Sequence, residues 1–319
     1  SVAKYESKIL VRSWFFRIFT LLAVVFLGFF NFAMMLMEDN FGLWFAKSVS
    51  SNIPYLNLLL LNTGQAVVAV FLSSEFLKRD KKLDTFEVFY VRPLSNAEYV
   101  VGKIWGNLRV FLFLNLLVLA IVLAFNFMAS GVTVDLPAYL VYFFLISIPT
   151  LIFIIGLSIF LMLLLKNQAL TFILLLGYIG LTLFYIQDKF YYLFDYMVYN
   201  LPLFKSTIVG FSNLELILNH RAIYFFAGLG FIFFTIFLFK RLPNARRSHY
   251  PWLFLSFCMF LLMVTAGFRH VRSILWEGEM RALYTSINNK YVYEPKMAID
   301  YYDISVEQKS ETIRSVVGM

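Results

Sequence analysis

Long apolar runs alternate along this chain with short polar segments that hold most of its charged residues. Each run approaches or exceeds the ~20 apolar residues that a helix needs to cross a bilayer core of ~30 Å. The pattern therefore predicts an all-α polytopic membrane protein. The predicted spans are residues 18–37, 53–74, 104–127, 137–165, 168–187, 222–239 and 251–268.

The fourth predicted span, residues 137–165, contains Pro149. A proline inside a helix removes one backbone hydrogen bond and crowds the preceding turn. We therefore expect this span to be kinked or irregular near residue 149.

Composition supports the membrane class and narrows the functions. Of the 319 residues, 61% are hydrophobic and only 14% are charged, whereas soluble domains average about 25% charged residues. The net charge of +8 comes from basic residues that flank the apolar runs, so we expect no nucleic-acid binding. The single cysteine, Cys258, cannot form an intrachain disulfide.

Basic residues are distributed unequally between the two sides that alternating spans would define. With the N-terminus in the cytoplasm, fifteen Lys and Arg fall in cytoplasmic segments and four in the opposite loops. The positive-inside rule thus predicts a cytoplasmic N-terminus, an outside loop over residues 188–221 and an extracytoplasmic tail over residues 269–319. Arg269 and Arg272, at the start of that tail, are exceptions to the bias.

Residues 1–17 precede the first span and predict an amphipathic helix in the membrane interface. Lys4, Lys8 and Arg12 recur at helical spacing on one face, and aromatic residues including Trp14 stand among them. Basic and aromatic side chains together are typical of helices that lie in the interface plane.

The C-terminal part of the chain has a different pattern. Residues 243–268 read as a cytoplasmic loop and the seventh span. From about residue 290 apolar and polar residues alternate with period two, as at Ile304 and Val306. This alternation is typical of β-strands, and we interpret the tail as the start of an extracytoplasmic β domain.

Candidate chemical residues are few. His220, His249 and His270 are scattered, and no metalloprotease, serine-hydrolase or phosphate-loop motif is present. We expect no catalysis, metal or cofactor in this chain. Apart from Arg109, no ionisable residue lies within a predicted span, and this disfavours an ion- or proton-coupled transporter.

The second predicted span carries three polar residues that qualify as functional candidates: Asn57, Asn62 and Gln65. Asn62 and Gln65 are three apart, so they share a helix face. Such residues either line a translocation pathway or hydrogen-bond neighbouring helices, and the sequence leaves both interpretations open.

The predicted cytoplasmic segment 75–103, EFLKRDKKLDTFEVFYVRPLSNAEYVVGK, is the longest polar stretch between spans. Its apolar residues recur at helical spacing among charges, which predicts a short amphipathic element at the membrane surface. Ser95 follows the break at Pro93 and is expected to cap a new helix that runs into the third span.

Residues 1–242 resemble the membrane subunits of ABC-2 type exporters, bacterial ABC transporter permeases of the inner membrane. The likeness lies in the N-terminal interfacial helix, the acidic Glu75 that closes the second span with the charged segment after it, and the ordered set Tyr90, Pro93, Ser95, Glu98 and Lys103. It implies a core of six spans with a long outside loop before the sixth.

The resemblance also implies partners. In that family the segment after the second span contains a coupling helix that docks on a separate ATPase subunit, which binds ATP-Mg. A second permease copy or a paralogue completes the assembly in contact with membrane lipid. The implied coupling residues are Glu75, Lys78, Arg79, Asp80, Lys82, Asp84, Phe86, Glu87 and Phe89.

The seventh span and tail depart from the six-span plan. They resemble longer bacterial permeases in which a further span leads to an extracytoplasmic aminopeptidase-like domain. No HExxH sequence is present, so no peptidase activity is expected from these residues.

Three functions follow as expectations. The leading one is a transport subunit without catalysis of its own. The alternative is a non-transporting membrane anchor or scaffold for an extracytoplasmic domain. A secondary transporter is weaker, because the predicted spans are poor in charge.

Overall fold

The computed structural model describes an elongated set of helices followed by a β-hairpin. Among the described residues, seven helices are long and apolar enough to cross a membrane. The prediction of a largely α-helical chain with seven long apolar helices is therefore confirmed. The described residues are 2–36, 49–74, 95–128, 134–186, 188–201, 203, 205–206, 210–211, 213–239, 250–294, 303–309 and 312–318.

The first helix, α1 (Val2–Arg12), is short, and seven long helices follow it. We call the end of the bundle at which α3, α5 and α7 begin the loop end, and the opposite end the α1 end. The long helices are α2 (Trp14–Leu36), α3 (Asn52–Ser74), α4 (Asn96–Met128), α5 (Leu136–Leu165), α6 (Gln168–Ile186), α7 (Leu214–Leu238) and α8 (Tyr250–Tyr291).

Two helices extend well beyond their predicted spans. Helix α7 begins at Leu214, whereas the apolar run begins at 222. Helix α8 continues to Tyr291, so residues 269–291 of the predicted tail are helical. Hydropathy locates only the apolar part of a helix. The backbone hydrogen bonding continues beyond that part until a helix-breaking residue stops it. At 42 residues α8 is about 63 Å long, roughly twice the bilayer core.

Helix α5 is irregular where the proline predicts it. Residues Phe143–Ser147 form a π-helical stretch, and a regular α-helix resumes at Ile148. Pro149 stands at the start of that resumed helix and has no N–H to donate to the Leu145 carbonyl. The expected disruption is thus confirmed as a short π segment, and single turns inside α-helices are where π-helix mostly occurs.

Glycines allow α5 and α7 to touch along their backbones. A Cβ added to Gly156 would lie 2.7 Å from the Gly228 carbonyl oxygen, and one on Gly228 would lie 2.7 Å from the Phe153 nitrogen. On α7, Gly230 similarly accepts the ring of Phe260 from α8. Small residues permit this close approach between membrane helices, so α5, α7 and α8 form a tightly packed layer.

Two short strand pairs complete the described fold. Strands β1 (Lys205–Ser206) and β2 (Gly210–Phe211) pair near the loop end. After α8, β3 (Asp303–Lys309) and β4 (Thr312–Gly318) form an antiparallel hairpin in which Ile304 opposes Val317. The predicted strand character of the tail is confirmed for these residues; the remaining tail residues with the same alternation, 295–302, lie outside the described part.

Candidate functional site

Helix α1 presents the basic face that its sequence predicts. Lys4, Lys8 and Arg12 are exposed, and Trp14, the first residue of α2, is 76% exposed. The guanidinium of Arg17 lies 5.9 Å from the centre of the Trp14 ring, a distance within cation–π range. The basic side chains of α1 and the Trp14 ring at the start of α2 are therefore exposed where they can contact a membrane interface.

The opposite face of α1 is fixed to the beginning of α4. Ser7 Oγ donates to the Gly106 carbonyl at 2.7 Å, and Arg109 Nη2 donates to the Ala3 carbonyl at 3.0 Å. Glu6 and Lys103 form a buried ion pair at 3.8 Å. Arg109, which the sequence places near the start of a span, thus joins α1 to α4 as a unit.

The start of α4 confirms the predicted cap. Ser95 Oγ accepts from the Glu98 amide at 3.1 Å, and Glu98 Oε2 accepts from the Ser95 amide at 2.8 Å. This reciprocal pair is a capping box. Whatever conformation the preceding segment adopts, the chain enters α4 through a fixed turn.

The implied coupling residues precede that turn and lie outside the described residues. Their contact with an ATPase therefore stays a prediction. They are Glu75, Lys78, Arg79, Asp80, Lys82, Asp84, Phe86, Glu87 and Phe89.

The three polar candidates of α3 are fully buried and bond other helices. Asn57 exchanges two side-chain hydrogen bonds with Asn31 of α2, at 2.7 and 3.1 Å. Asn62 and Gln65 belong to a second group, in which Gln65 Nε2 donates to Asn62 Oδ1 at 2.6 Å. The described geometry therefore favours interhelical bonding over pathway lining for these residues.

The second group, which we call the amide network, consists of Asn62, Gln65, Asn115 of α4 and Ser147 of α5. Asn115 is its centre: its Nδ2 donates to Gln65 Oε1 at 2.9 Å, and its Oδ1 accepts from Ser147 Oγ at 2.8 Å. The network joins three helices at positions that are all 0% exposed. Sequence spacing pairs only residues on one helix, so Asn115 and Ser147 were not predicted.

The chain between α6 and α7 folds back into the loop end of the bundle. We call residues 188–201 the inserted loop. Its residues Asp195, Tyr196, Met197 and Val198 are at most 1% exposed, and Met197 Sδ lies 3.5 Å from Thr63 Oγ1. Thr63 is midway along α3, about 16 Å from its first residue. Part of the predicted outside loop therefore lies within the bundle.

Aromatic packing surrounds the deepest part of the inserted loop. The Tyr196 ring stacks on Tyr178 of α6 at 5.6 Å between centroids and packs on Phe153 of α5 at 5.9 Å. Tyr224 of α7 lies 6.4 Å away in an edge-on arrangement. Rings in these geometries contribute beyond simple area burial, so the loop tip is anchored on three helices.

Side chains of α7 and α8 hydrogen-bond three consecutive backbone carbonyls of the inserted loop. His270 Nε2 donates to the Tyr191 carbonyl at 2.9 Å and His220 Nε2 to the Tyr192 carbonyl at 3.0 Å. Tyr224 Oη donates to the Leu193 carbonyl. Since a carbonyl oxygen only accepts, both imidazoles carry a proton on Nε2 in these bonds.

The held segment adopts an unusual backbone. Phe190, Tyr191 and Tyr192 have φ of 51, 58 and 62°, in the left-handed region that costs a non-glycine residue roughly 1–3 kcal/mol. Such conformations persist only where the surroundings over-determine them. The His220 and His270 rings, with centroids 5.0 Å apart, supply that support from α7 and α8.

Arg221 of α7 bridges the inserted loop and the irregular part of α5. Its Nε donates to the Leu145 carbonyl at 2.6 Å, and its Nη2 donates to Thr150 Oγ1 at 2.8 Å and to the Ile146 carbonyl at 3.2 Å. Its Nη1 donates to the Tyr196 carbonyl at 2.7 Å. Pro149 has no N–H to give to the Leu145 carbonyl, so Arg221 supplies a donor at the irregular part of α5.

Asp195 gives the inserted loop a buried carboxylate near Arg221. Its two oxygens accept from the Tyr199 and Asn200 amides at 2.9 and 2.8 Å. Burial raises the pKa of Asp195, while these amides and the nearby Arg221 guanidinium act in the opposite direction. The loop therefore places a negative group where the bundle presents a positive one.

Sequence reasoning missed His220, Arg221 and His270 because it placed α7 and α8 too short. His220 and Arg221 fell in a loop, and His270 fell just after a span. The statement that only Arg109 lies within a span is therefore wrong: Arg221 is the eighth residue of α7 and is 2% exposed. Helical spacing of Leu214, Ile217 and Arg221 was the signal available in the sequence.

No metal site is evident in the part of the chain that the structure covers. There, no group of three or more His, Cys, Asp and Glu is arranged to hold an ion. Comparison of the chain with protein-family models, with characterised proteins and with solved structures finds no match.

Proposed function

We propose that this chain is the transmembrane permease subunit of an ATP-driven ABC exporter of the ABC-2 type. Its helices would form the translocation pathway, and segment 75–103 would couple them to a separate ATPase that binds ATP-Mg. The chain would act without catalysis of its own. It would lie in a bacterial inner membrane with its N-terminus in the cytoplasm.

The inserted loop is the observation that carries this proposal. A pathway needs a barrier that closes one end and can be withdrawn, whereas a membrane anchor needs only apolar helices that pack. The loop enters to the middle of α3 at Thr63 and is held by hydrogen bonds between side chains and backbone. The backbone–backbone hydrogen bonds of the loop, such as that from the Asp195 amide to the Tyr192 carbonyl, are local, so the contacts that tie it to the surrounding helices are made by side chains.

The α1–α4 unit supports coupling at the opposite end. Segment 75–94 enters α4 through the Ser95–Glu98 capping box, and α4 is bonded to α1 by Ser7 and Arg109. A displacement of that segment by a bound ATPase would therefore move α1 and α4 together. Rigid movement of packed helices is a common way to transmit such a change.

The proposed partners are an ATPase pair, a second permease copy or a paralogue, and lipid. Helices α2, α6 and α8 expose large apolar residues such as Phe29, Phe184 and Phe257 along the membrane-spanning region. These surfaces suit lipid or a second permease.

Co-purification from native membranes tests the proposal. We expect an ABC ATPase to accompany the intact chain and to hydrolyse ATP faster in its presence. A reversible lock adds a sharper test: cysteines at Thr63 and Met197, whose native side chains meet at 3.5 Å, are joined in a Cys258→Ser background by a short bifunctional thiol reagent that reductant cleaves. The cross-linked pair should suppress the stimulated ATP hydrolysis, and reductant should restore it. Absence of any ATPase would contradict the proposal.

A second candidate, a membrane anchor or scaffold, is favoured by α8. This helix runs about 63 Å and continues past Ile274, which still packs against Val198 and Leu201 of the inserted loop, to Tyr291 before the β3–β4 hairpin. Such a helix suits the support of a further domain. If anchoring is the only role, the Thr63–Met197 cross-link should leave the activity of every associated protein unchanged.

A third function, a secondary transporter, is supported by the buried ionisable residues Arg221, His220 and His270, because such residues in spans often mark ion pathways. In this structure, however, all three donate to backbone carbonyls of α5 or the inserted loop. Their geometry fits a role in holding the loop better than a proton relay.

A further inference from the structure

We propose that Arg221 is a positioning residue that latches the inserted loop to the break in α5, and that release of its contact with Tyr196 lets the loop leave the bundle. The proposal deepens the proposed function by naming the contact that keeps the loop end closed. The latch itself is testable without an ATPase or a transported substrate.

The Arg221 guanidinium bonds two elements that are separated in sequence, α5 and the inserted loop. On one side it donates to the Leu145 and Ile146 carbonyls and to Thr150 Oγ1 of α5. On the other it donates to the Tyr196 carbonyl of the loop at 2.7 Å. A planar group with five donors in fixed directions suits such a bridge, whereas a lysine offers one point charge.

Arg221 is the deepest of the charged or polar donors that α7 and α8 supply to the loop. His270, His220 and Tyr224 hold the consecutive carbonyls of residues 191–193. Arg221 holds residue 196, next to the buried Met197. Thr150 Oγ1 also donates to the Tyr196 carbonyl, at 3.3 Å. Loss of Arg221 would therefore leave the Tyr196 carbonyl with only the longer bond from Thr150 and weaken the hold on the loop tip, while the donors to its first part remain.

A substitution at Pro149 separates the two roles of Arg221, which are to bond the irregular part of α5 and to hold the inserted loop. The Leu145 carbonyl needs an outside donor because residue 149 has no N–H. In Pro149→Ala the new backbone N–H can take over that carbonyl, so α5 depends less on Arg221, which keeps only its bonds to Ile146 and Thr150 there. The Tyr196 carbonyl gains nothing from this change. A purely structural role and a latch therefore make different predictions for the double variant.

The test measures access to position 197. Met197→Cys is placed in a Cys258→Ser background, reconstituted in nanodiscs so that both faces are open, and reacted with a membrane-impermeant maleimide. With Arg221 present, labelling should be slow because residue 197 is buried. In Arg221→Met the labelling rate should rise about tenfold or more, the effect of losing a hydrogen bond to a charged group. Arg221→Lys should fall between the two.

The double variant Arg221→Met/Pro149→Ala decides between a latch and a purely structural role of Arg221 in α5. A latch predicts that thermal stability recovers towards that of Pro149→Ala while labelling of residue 197 stays fast. Recovery of both stability and protection would overturn the latch, as would equal labelling of Arg221→Met and its parent. If Arg221→Met does not accumulate, Thr150→Val removes the hydroxyl shared by Arg221 and Tyr196, and its labelling should still rise. No rise in that variant would overturn the latch.

Failure of the latch and failure of the permease proposal are distinguishable. Fast labelling of Arg221→Met in a protein that binds no ATPase supports the latch and removes the permease. Stimulated ATP hydrolysis in a protein whose labelling is insensitive to Arg221 supports the permease and removes the latch. Tyr224→Phe serves as the matched control, because it removes only the donor to Leu193 and should change labelling less than Arg221→Met.

Discussion

Replacement of Asn115 by leucine tests whether the amide network bonds helices or lines a pathway. Asn115 lies at the centre of the network and is 0% exposed. Leucine is similar in size but offers no hydrogen bond, so Asn115→Leu removes the bonds to Gln65 at 2.9 Å and to Ser147 at 2.8 Å. The change leaves α3, α4 and α5 packed by their apolar side chains alone.

The expected cost follows from these two bonds. Interhelical hydrogen bonds in membrane proteins contribute about 0.6 kcal/mol on average and up to about 1.7 kcal/mol. Polar atoms left buried without a partner add roughly 1–3 kcal/mol. Asn62 still bonds both remaining partners, to Ser147 at 3.2 Å and to Gln65 at 2.6 Å, so the penalty is partial. We expect Asn115→Leu to lower the free energy of unfolding by about 2–3 kcal/mol.

A double-mutant cycle separates the hydrogen bond from the added volume of leucine. The free energy of unfolding is measured in mixed micelles titrated with SDS for Asn115→Leu, Gln65→Leu and both together. Steric costs occur in the single and the double variants and cancel in the cycle. We expect a coupling of about 1 kcal/mol, the range for residues in one network. Asn31→Leu combined with Gln65→Leu is the matched control and should be additive, because Asn31 bonds Asn57 instead.

The reasoning would be refuted by an unchanged stability of Asn115→Leu together with a coupling below about 0.3 kcal/mol, the range for independent sites. That result would mean that water reaches these amides and replaces the lost partners. Pathway lining, the interpretation that the sequence left open for Asn62 and Gln65, would then be preferred.

Three further predictions concern topology, coupling and pH. Single cysteines at Asn200 and Lys81, in a Cys258→Ser background, should react with impermeant reagents from opposite sides of the membrane; reaction from one side would contradict the orientation. Phe86→Ala should weaken ATPase co-purification by about 2 kcal/mol, and Lys81→Ala by less, since aromatic anchors dominate interfaces; a loss of permease stability in Phe86→Ala would instead place that ring in the permease core. Burial raises the pKa of Asp195 above its ordinary 3.8. The protonated carboxyl therefore makes its full contribution to folding stability below pH 3.8, and this contribution is lost as the pH rises through the raised pKa. Asp195→Asn should flatten the dependence of the unfolding temperature on pH in that window, and an unchanged slope would contradict the assignment.

The helices were predictable because a bilayer imposes a strict condition on them. Every backbone group within lipid must be bonded inside its own helix, and the side chains must be apolar over ~20 residues. That condition ends at the membrane surface. The sequence therefore located the lipid-facing part of α7 and α8 but not their extensions, Leu214–Arg221 and Arg269–Tyr291.

The inserted loop could not be predicted, since its signal is tertiary. The segment DYMVYN around Met197 combines apolar and aromatic residues with an acidic one, a composition equally typical of a membrane-interface loop. Its burial depends on donors from α5, α7 and α8, which are distant in sequence. Asn57, Asn62 and Gln65 were recognised because they share one helix, whereas their partners Asn31 and Asn115 were hidden as single amides in other apolar runs.

The π segment of α5 joins the two polar systems of the bundle. Ser147, its last residue, bonds the amide network at Asn115. Leu145 and Ile146, the residues just before it, accept from Arg221, which also holds the inserted loop. In a regular helix the Leu145 carbonyl would accept from the amide of residue 149, which Pro149 lacks. Arg221 supplies a donor to that carbonyl and also bonds Ile146 and Thr150 of α5, so one arginine ties the loop to α5, and a movement of the loop would reach the amide network within two residues.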